Sequence, residues 1–357
     1  MCQSSMMPII SLAAAAIACM NAHGVTYTYW NGPECGDWWS EANWTSGVPK
    51  GSDIVPRFSK AQSVDVGSTI SITNAAAIDC PYMLFTDGEW TLNLRGTLSL
   101  PNASSSIRTV LVESNAKLTV VGGVLEDMSF CATTGTGGGC SSVELRNVVT
   151  RGCYTFVRGG SDADSPDTYT IDGGVHGIRT WYPRLHDNMV VKGGIVRFGS
   201  IHGYDRYSEG KDTRRRTALE VSGGRAVIDG TDAEITSGSV GIVARDRGVV
   251  DVTVGGNKIW LANGSTDGKH SVDVSWKVQD KALFRAAGPY VVNGMSTGRV
   301  EVVGGRFVMT SSFANWAGSN VGRYSSVLLD GGTLDFDFAT AGSLQGTKTD
   351  VVGTAHV

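Results

Sequence analysis

Two neighbouring segments hold most of the residue types that could carry out chemistry. The first segment, HGIRTWYPRLHDN, contains His176, Arg179, Trp181, Tyr182, Arg184, His186 and Asp187. The second segment, FGSIHGYDRYSEGKDTRRRT, contains His202, Tyr204, Asp205, Arg206, Tyr207, Glu209, Lys211, Asp212 and Arg214 to Arg216. Arginine or lysine can neutralise the carboxylate of a uronate sugar, and tyrosine, histidine or deprotonated lysine can then act as base or acid. The residue types therefore fit a site for an acidic glycan.

No catalytic residue follows from these segments alone, because charged, solvated loops held by Arg–Asp pairs have the same composition. If the protein is an enzyme, we expect the base and the cations among four residues: Arg179, His186, Tyr204 and Lys211. We expect the ligand to contact Trp181, Tyr182, Arg184, His202, Arg206 and Tyr207. The corresponding reaction would be that of a polysaccharide lyase or hydrolase.

Three acidic groupings give weaker indications. Asp335 and Asp337 lie two apart in a strand pattern, and an isolated solvent-facing pair explains them. Asp162, Asp164 and Asp167 could contact Ca²⁺, but their spacing is not that of a known calcium loop. We expect no cofactor and no other metal, with Ca²⁺ as the alternative. The sequence contains no dinucleotide, P-loop or H-E-x-x-H motif.

A repeated phrase must position these segments, namely an alternating apolar run, a Gly-Gly pair and a second alternating run. It occurs as LTVVGGVLED, YTIDGGVHGI, MVVKGGIVRF, LEVSGGRAVID, VDVTVGGNKIWL, VEVVGGRFVM and VLLDGGTLDFDF. Alternation with period two predicts strands with one buried face. The glycine pair predicts a tight bend with positive φ. Recurrence of this unit predicts an all-β solenoid in which stacked coils bring the two chemistry-bearing segments together.

Composition agrees with a folded β protein. The 357 residues include 47 glycines and only 9 prolines, without a low-complexity run. The formal charge of −4 gives no indication of a nucleic-acid partner. We find no run long and apolar enough for a membrane span.

The first residues resemble a secretory signal. Residues 8–20 form a short, alanine-rich apolar run, and Ala22 and Gly24 are the small residues expected before a cleavage at Val25. The first seven residues carry no Lys or Arg, so a buried N-terminal segment stays open as an alternative. A lipoprotein signal acylated at Cys19 is another. We expect an exported protein, extracellular or at the cell surface, with the periplasm as an alternative.

Five of the seven cysteines lie beyond this segment. Cys131 and Cys140 flank a glycine-rich stretch, so we predict a disulfide between them. A Cys35–Cys80 pair is a weaker prediction, and it would leave Cys153 over. No CxxC motif indicates a metal site.

A tryptophan-rich segment precedes the repeats. It contains Trp30-Asn31-Gly32, Gly36-Asp37-Trp38, Ala42-Asn43-Trp44, Gly47-Val48-Pro49 and Asp53. This pattern resembles the opening of exported bacterial β-solenoid proteins, including autotransporter passenger-like proteins with autotransporter-associated β-strand repeats. The resemblance covers about thirty residues and implies a cap on a single-stranded right-handed parallel β-helix. The alternative for the same tryptophans is a carbohydrate-stacking platform.

We therefore predict four regions and a leading function. The regions are a signal peptide (1–24), a Trp-rich cap and first rung (25–62), a β-helix (63–345) and a polar C-terminal tail (346–357). The leading hypothesis is a non-catalytic adhesion or scaffold module whose partner is a polysaccharide or a cell-surface or matrix component. The alternatives are a polysaccharide lyase or hydrolase, and a carbohydrate-binding protein without catalysis.

Overall fold

The structure is a computed structural model that describes most of the chain after residue 25. The described ranges are 26–59, 69–72, 76–77, 80–100, 109–113, 115–133, 141–158, 168–182, 188–202, 217–229, 235–236, 241–253, 260–263, 273–286, 290–292, 297–309, 325–336 and 348–352. Apart from one 3-10 turn at Glu41–Asn43, every regular element in these ranges is a strand. The predicted all-β class is confirmed.

The strands follow one another closely along the chain. The first fifteen are β1 (Thr26–Tyr29), β2 (Cys35–Asp37), β3 (Ile54–Phe58), β4 (Thr69–Ile72), β5 (Ala76–Ala77), β6 (Tyr82–Phe85), β7 (Glu89–Leu94), β8 (Thr97–Ser99), β9 (Thr109–Glu113), β10 (Lys117–Val121), β11 (Val124–Glu126), β12 (Ser129–Thr133), β13 (Ser142–Arg158), β14 (Thr168–Tyr182) and β15 (Asn188–Val191). The remaining strands are β16 (Ile195–His202), β17 (Thr217–Ser222), β18 (Arg225–Asp229), β19 (Ile235–Thr236), β20 (Gly241–Arg245), β21 (Val249–Thr253), β22 (Trp260–Asn263), β23 (Asp273–Gln279), β24 (Leu283–Ala286), β25 (Tyr290–Val292), β26 (Thr297–Val303), β27 (Arg306–Met309), β28 (Ser325–Asp330), β29 (Thr333–Phe336) and β30 (Lys348–Val352).

Apart from β22 and β25, which pair with each other in a separate two-stranded sheet, these strands form three parallel ladders, and successive strands along the chain go to different ladders. The first ladder runs β2, β4, β7, β10, β13, β14, β15, β17, β20, β23, β26, β28, β30. The second runs β5, β8, β11, β13, β14, β16, β18, β21, β24, β27, β29. The third runs β1, β3, β6, β9, β12, β13, β14, β16, β19. Each ladder is one wall, so the fold is a parallel β-solenoid, as predicted.

Period-two alternation fills the interior. In β7 the burial alternates residue by residue, with Trp90, Leu92 and Leu94 inside. Trp90 lies beside Leu118 of β10, which lies beside Val143 of β13. The buried side chains therefore stack coil upon coil into one continuous core.

The predicted glycine bends are confirmed at several pairs. Gly173 and Gly174 both have φ of +85°, and a Cβ on Gly174 would lie 2.0 Å from the carbonyl oxygen of Val148. Coils without a glycine pair use other residues in the same left-handed conformation, such as Asn147 at φ +52° and Lys281 at φ +62°. The bend is therefore a property of the coil, and glycine is its least strained occupant.

The tryptophan-rich segment is packed into the end of the core. Trp30, Trp38 and Trp44 are buried, and their rings meet edge to face at centroid distances of 5.2 Å (Trp30–Trp44) and 4.8 Å (Trp38–Trp44). Gly32 and Gly36 lie against the Trp30 indole, where a Cβ would approach to 2.6 and 2.7 Å. These contacts give the W-N-G spacing a packing reason. Buried rings cannot serve as a stacking platform, so that alternative is wrong for these three tryptophans.

The region predicted as a polar tail contributes a strand. Within 346–357, β30 pairs in parallel with β28, from Ser326 opposite Lys348 to Asp330 opposite Val352. The ladder thus continues beyond the predicted boundary at residue 345, because parallel pairing depends on backbone hydrogen bonds more than on an apolar pattern. The predicted signal peptide and the boundary at 62/63 lie outside the described residues.

Candidate functional site

The two chemistry-bearing segments both begin within paired strands of the solenoid, and each continues past the end of its strand. Strands β14 and β16 pair in parallel, with Ile178 opposite Phe198 and Trp181 opposite Ile201. β14 ends at Tyr182 and β16 ends at His202, so the segments that follow begin side by side. The prediction that coil stacking brings these segments together is confirmed for the strand ends.

The predicted site residues differ in how much of them the structure describes. Arg179 is an exposed residue of β14, and Gly199 of β16 packs against its backbone. Tyr182 and His202 are placed by their backbone only. Arg184, His186, Tyr204, Arg206, Tyr207 and Lys211 lie outside the described residues, as do Asp162, Asp164, Asp167 and Asp337. The proposed ligand contacts of these residues stay predictions.

Trp181 is not a ligand-binding platform, and this part of the prediction is wrong. Its side chain is fully buried and packs against Phe198 at a centroid distance of 5.8 Å. The indole Nε1 is also buried and makes no hydrogen bond within the described structure. The strand alternation places Trp181 on the inner face, where a large ring fills the core.

His176 is also an interior residue. Its Nε2 lies 2.9 Å from the carbonyl oxygen of Gly173, and its Nδ1 lies 3.5 Å from the hydroxyl of Thr150. Because a carbonyl only accepts hydrogen bonds, Nε2 carries the proton and Nδ1 is the acceptor. Burial lowers the pKa of His176, and the hydrogen bond to Gly173 opposes that shift. A neutral histidine held in this way is a structural group of the core.

The cysteines are only partly resolved by the structure. Cys35 is an exposed free thiol, so the predicted Cys35–Cys80 disulfide is wrong. Cys153 is a buried free thiol, and burial raises its pKa to about 11. Cys131 belongs to β12 and Cys140 lies outside the described residues, so their disulfide stays a prediction.

A cluster on the outer face of the third ladder was missed by the sequence analysis. We call it the tyrosine–arginine cluster, and its members are Tyr27, Tyr29, Arg57, Tyr82 and Glu113. The Arg57 guanidinium carbon lies 5.5 Å from the Tyr27 ring centroid and 5.6 Å from that of Tyr29. The hydroxyls of Tyr27 and Tyr82 are 3.2 Å apart. Val55, Leu84 and Leu111 form an apolar bed for the cluster.

The electrostatics of this cluster are unusual for a surface. Burial raises the pKa of the Tyr82 hydroxyl, and the hydrogen bond with Tyr27 adds to the shift. Burial also raises the pKa of Glu113, while the charge of Arg57 opposes that shift. The Arg57 Nε is buried and donates no hydrogen bond within the described residues. The cluster thus holds a buried donor that no described residue pairs, together with a carboxylate that experiences the charge of Arg57.

One sequence signal could have found these residues. In T-Y-T-Y of β1 the polar Thr28 is fully buried, while Tyr27 and Tyr29 are only partly buried. The Thr28 hydroxyl donates to the carbonyl of Gly47 and accepts from the amide of Ser46 inside the cap. An alternation that turns tyrosines outward indicates a surface used for contact.

Three further observations concern metal-ligating groups, Asp335 and membrane-spanning helices. No group of three His, Cys, Asp or Glu side chains in the described ranges is arranged to hold a metal ion. Asp335 forms an ion pair with Arg306, in agreement with a solvent-facing role. In the part of the chain that the structure describes, no helix has the length and apolarity needed to cross a membrane.

Comparison with known proteins adds no relative. No family model, curated protein or solved structure matches the chain. The parallel β-solenoid is therefore established by the structure alone, and the resemblance to autotransporter passenger-like proteins receives no support from these comparisons.

Proposed function

We propose that the protein is an exported, non-catalytic β-solenoid that acts as an adhesion or scaffold module at the cell surface or in the extracellular matrix. The observation that carries this proposal is the adjacency of Tyr182 and His202 at the ends of β14 and β16. A short segment, 183–187, and a longer polar segment, 203–216, start there from a wall with a continuous core beneath it. A wall with a continuous core and polar segments that follow neighbouring strand ends is suited to binding a large partner.

The described surface charges favour a structural role. Asp251 accepts hydrogen bonds from Arg225 and Arg285 on the two flanking strands, with Nε–O distances of 2.7 and 2.5 Å. Arg245 likewise pairs with Glu220 at 2.6 Å. Charges used between coils help to hold neighbouring strands in register, and they are not directed towards a substrate.

A polysaccharide assay tests the proposal. Purified protein is incubated with acidic and neutral polysaccharides, and new unsaturated or reducing ends are measured together with retention on the immobilised polymers. We expect retention without product. Product from any polymer would overturn the non-catalytic function and favour a lyase or hydrolase.

A loop variant serves as the matched control. Replacement of residues 203–216 by a short Gly-Ser linker keeps β16 and β17 intact. We expect this variant to fold and to lose part of its retention. Full retention by the variant would show that this segment does not bind the partner. Export is tested separately by mass spectrometry of the secreted protein, for which we expect an N-terminus at Val25.

A further inference from the structure

We propose that the tyrosine–arginine cluster is a binding site for a neutral saccharide, whose hydroxyl groups bridge Arg57 and Glu113. This inference rests on the proposed function and names a ligand class for it. The site lies on the third ladder, well away from the segments that the sequence singled out. It is assembled from β1, β3, β6 and β9.

Arg57 has hydrogen-bond donors that no described residue uses. A guanidinium group carries five N–H donors. The closest described acceptor for Arg57 is the Tyr29 hydroxyl, at 3.5 Å from Nη1, and Nε has none among the described residues. The charge of Arg57 acts on the Glu113 carboxylate and favours its ionised form, against the effect of burial. A buried donor without a partner is costly, so a ligand oxygen at Arg57 would be stabilising.

The strand register fixes the distance between Arg57 and Glu113. Arg57 is opposite Leu84, and Leu84 is opposite Leu111 on the next strand. Glu113 follows two residues further along β9, so its Cα lies two strand spacings and two residues from that of Arg57. With ordinary sheet dimensions this separation is roughly 12 Å. At this separation the charge of Arg57 still acts on the Glu113 carboxylate, and the two residues lie on the same wall.

The opposite charges of Arg57 and Glu113 favour a neutral ligand. A uronate or phosphate would interact well with Arg57 but would be repelled by an ionised Glu113. A sugar hydroxyl can accept from the guanidinium, and its neighbour can donate to the carboxylate. Vicinal hydroxyls of a neutral sugar therefore satisfy both groups at once.

The side chains around Arg57 are ordered before any ligand binds. The rings of Tyr27 and Tyr29 hold the guanidinium by cation–π contacts. The bond between the Tyr27 and Tyr82 hydroxyls fixes one of these rings above the apolar bed. Side chains that are ordered before binding lose little entropy when a ligand arrives.

The ladder also favours a polymer over a monosaccharide. From β3 the third ladder continues through β6, β9, β12, β13 and β14 to β16, which is six strand spacings or roughly 29 Å. A glycan chain bound at Arg57 could thus follow the wall towards the strand end at His202.

The test compares variants on immobilised amylose, xylan, mixed-linkage β-glucan and polygalacturonate. The variants are Arg57→Met and Glu113→Gln. The matched control is Arg197→Met, which removes an exposed arginine paired with Asp229 on the second ladder. We expect the wild type to be retained on at least one neutral polymer. Because hydrogen bonds to charged groups are lost, we expect both cluster variants to bind about tenfold more weakly or worse. The control should stay within about twofold.

Several outcomes would overturn this inference. They are no retention on the neutral polymers, retention on polygalacturonate only, and equal retention of wild type and both cluster variants. Circular dichroism checks the fold of each variant. If Arg57→Met unfolds, Glu113→Gln still tests the site, because glutamine keeps the shape of the glutamate side chain. Retention independent of Arg57 and Glu113 would remove this site and leave the adhesion proposal standing. Formation of a cleavage product would overturn the non-catalytic adhesion proposal and leave this binding site standing.

Discussion

Substitution of Gly174 by alanine should show how strictly the coil backbone is determined. Gly174 has φ of +85° and is opposite Val148 on β13. An added Cβ would lie 2.0 Å from the Val148 carbonyl oxygen and 2.9 Å from its backbone nitrogen. Since these are backbone atoms, no side-chain rotation can relieve the contact. The two strands would have to separate where they carry Thr150 and His176.

The expected loss in the free energy of unfolding is the sum of two costs. A left-handed conformation costs a residue with a Cβ about 1–2 kcal/mol. Forcing an extra carbon into a packed site costs about 1–3 kcal/mol more. Gly304 provides the control, because its φ is +77° while its nearest neighbour, the Asp280 amide nitrogen, is 3.9 Å away. We therefore expect Gly304→Ala to cost about 1–2 kcal/mol and Gly174→Ala about 2–5 kcal/mol.

Equilibrium unfolding in urea, followed by circular dichroism, measures both free energies of unfolding. The m-value must be compared as well, because coils that unfold separately would lower it. Hydrogen exchange of the β13 and β14 amides gives a local readout for Gly174→Ala. Equal destabilisation of the two variants would refute the reasoning, since it would mean that β13 and β14 do not approach as closely as the structure shows.

Three further predictions concern His176, Asp251 and two free cysteines. The pKa of His176 is lowered from its ordinary value of 6.5, so below that pH the unfolded chain binds more protons than the folded one. The contribution of His176 to the free energy of unfolding should be fully present above about pH 6.5 and should decrease as the pH drops below that value. The difference between the urea midpoints at pH 7.5 and pH 5.5 should therefore be smaller for His176→Gln than for the wild type. Asp251→Asn should lower the free energy of unfolding by about 1–2 kcal/mol, because its two arginine partners then repel each other; an unchanged urea midpoint would contradict this. In the native protein, iodoacetamide should label the exposed Cys35 and leave the buried Cys153 unmodified, and mass spectrometry would reveal labelling of both as a contradiction.

The sequence was sufficient for the fold class because two local rules act in every coil. Alternation defines the inner face, as in β7, and positive φ defines the bend, as at Gly173. The glycine pattern did not locate the bend where another residue type adopts the positive φ. The coil between β20 and β21 turns at Asp246 and Arg247, with φ of +50° and +66°. The Gly255-Gly256 pair, which the pattern suggested as the bend, follows β21 and lies outside the described residues.

The faces of individual side chains were less predictable. Trp181 and His176 belong to a segment rich in chemical groups, yet both are buried. Thr28 is buried in place of its tyrosine neighbours, because the cap supplies it with the carbonyl of Gly47 and the amide of Ser46. In each case a residue that contacts the buried side chain comes from another part of the chain, and a local sequence pattern carries no information about that contact.

The amino-acid sequence by itself determined that this chain folds as a parallel β-solenoid with a tryptophan-rich end. Only the tertiary structure decided which side chains become neighbours. Coil lengths vary, since Tyr169 pairs with Met189 twenty residues on, whereas Ile242 pairs with Trp276 thirty-four residues on (189 − 169 and 276 − 242). The stacking register is set by backbone pairing across coils of unequal length. Arg57 and Glu113 were therefore brought to one surface by a geometry that local periodicity does not encode.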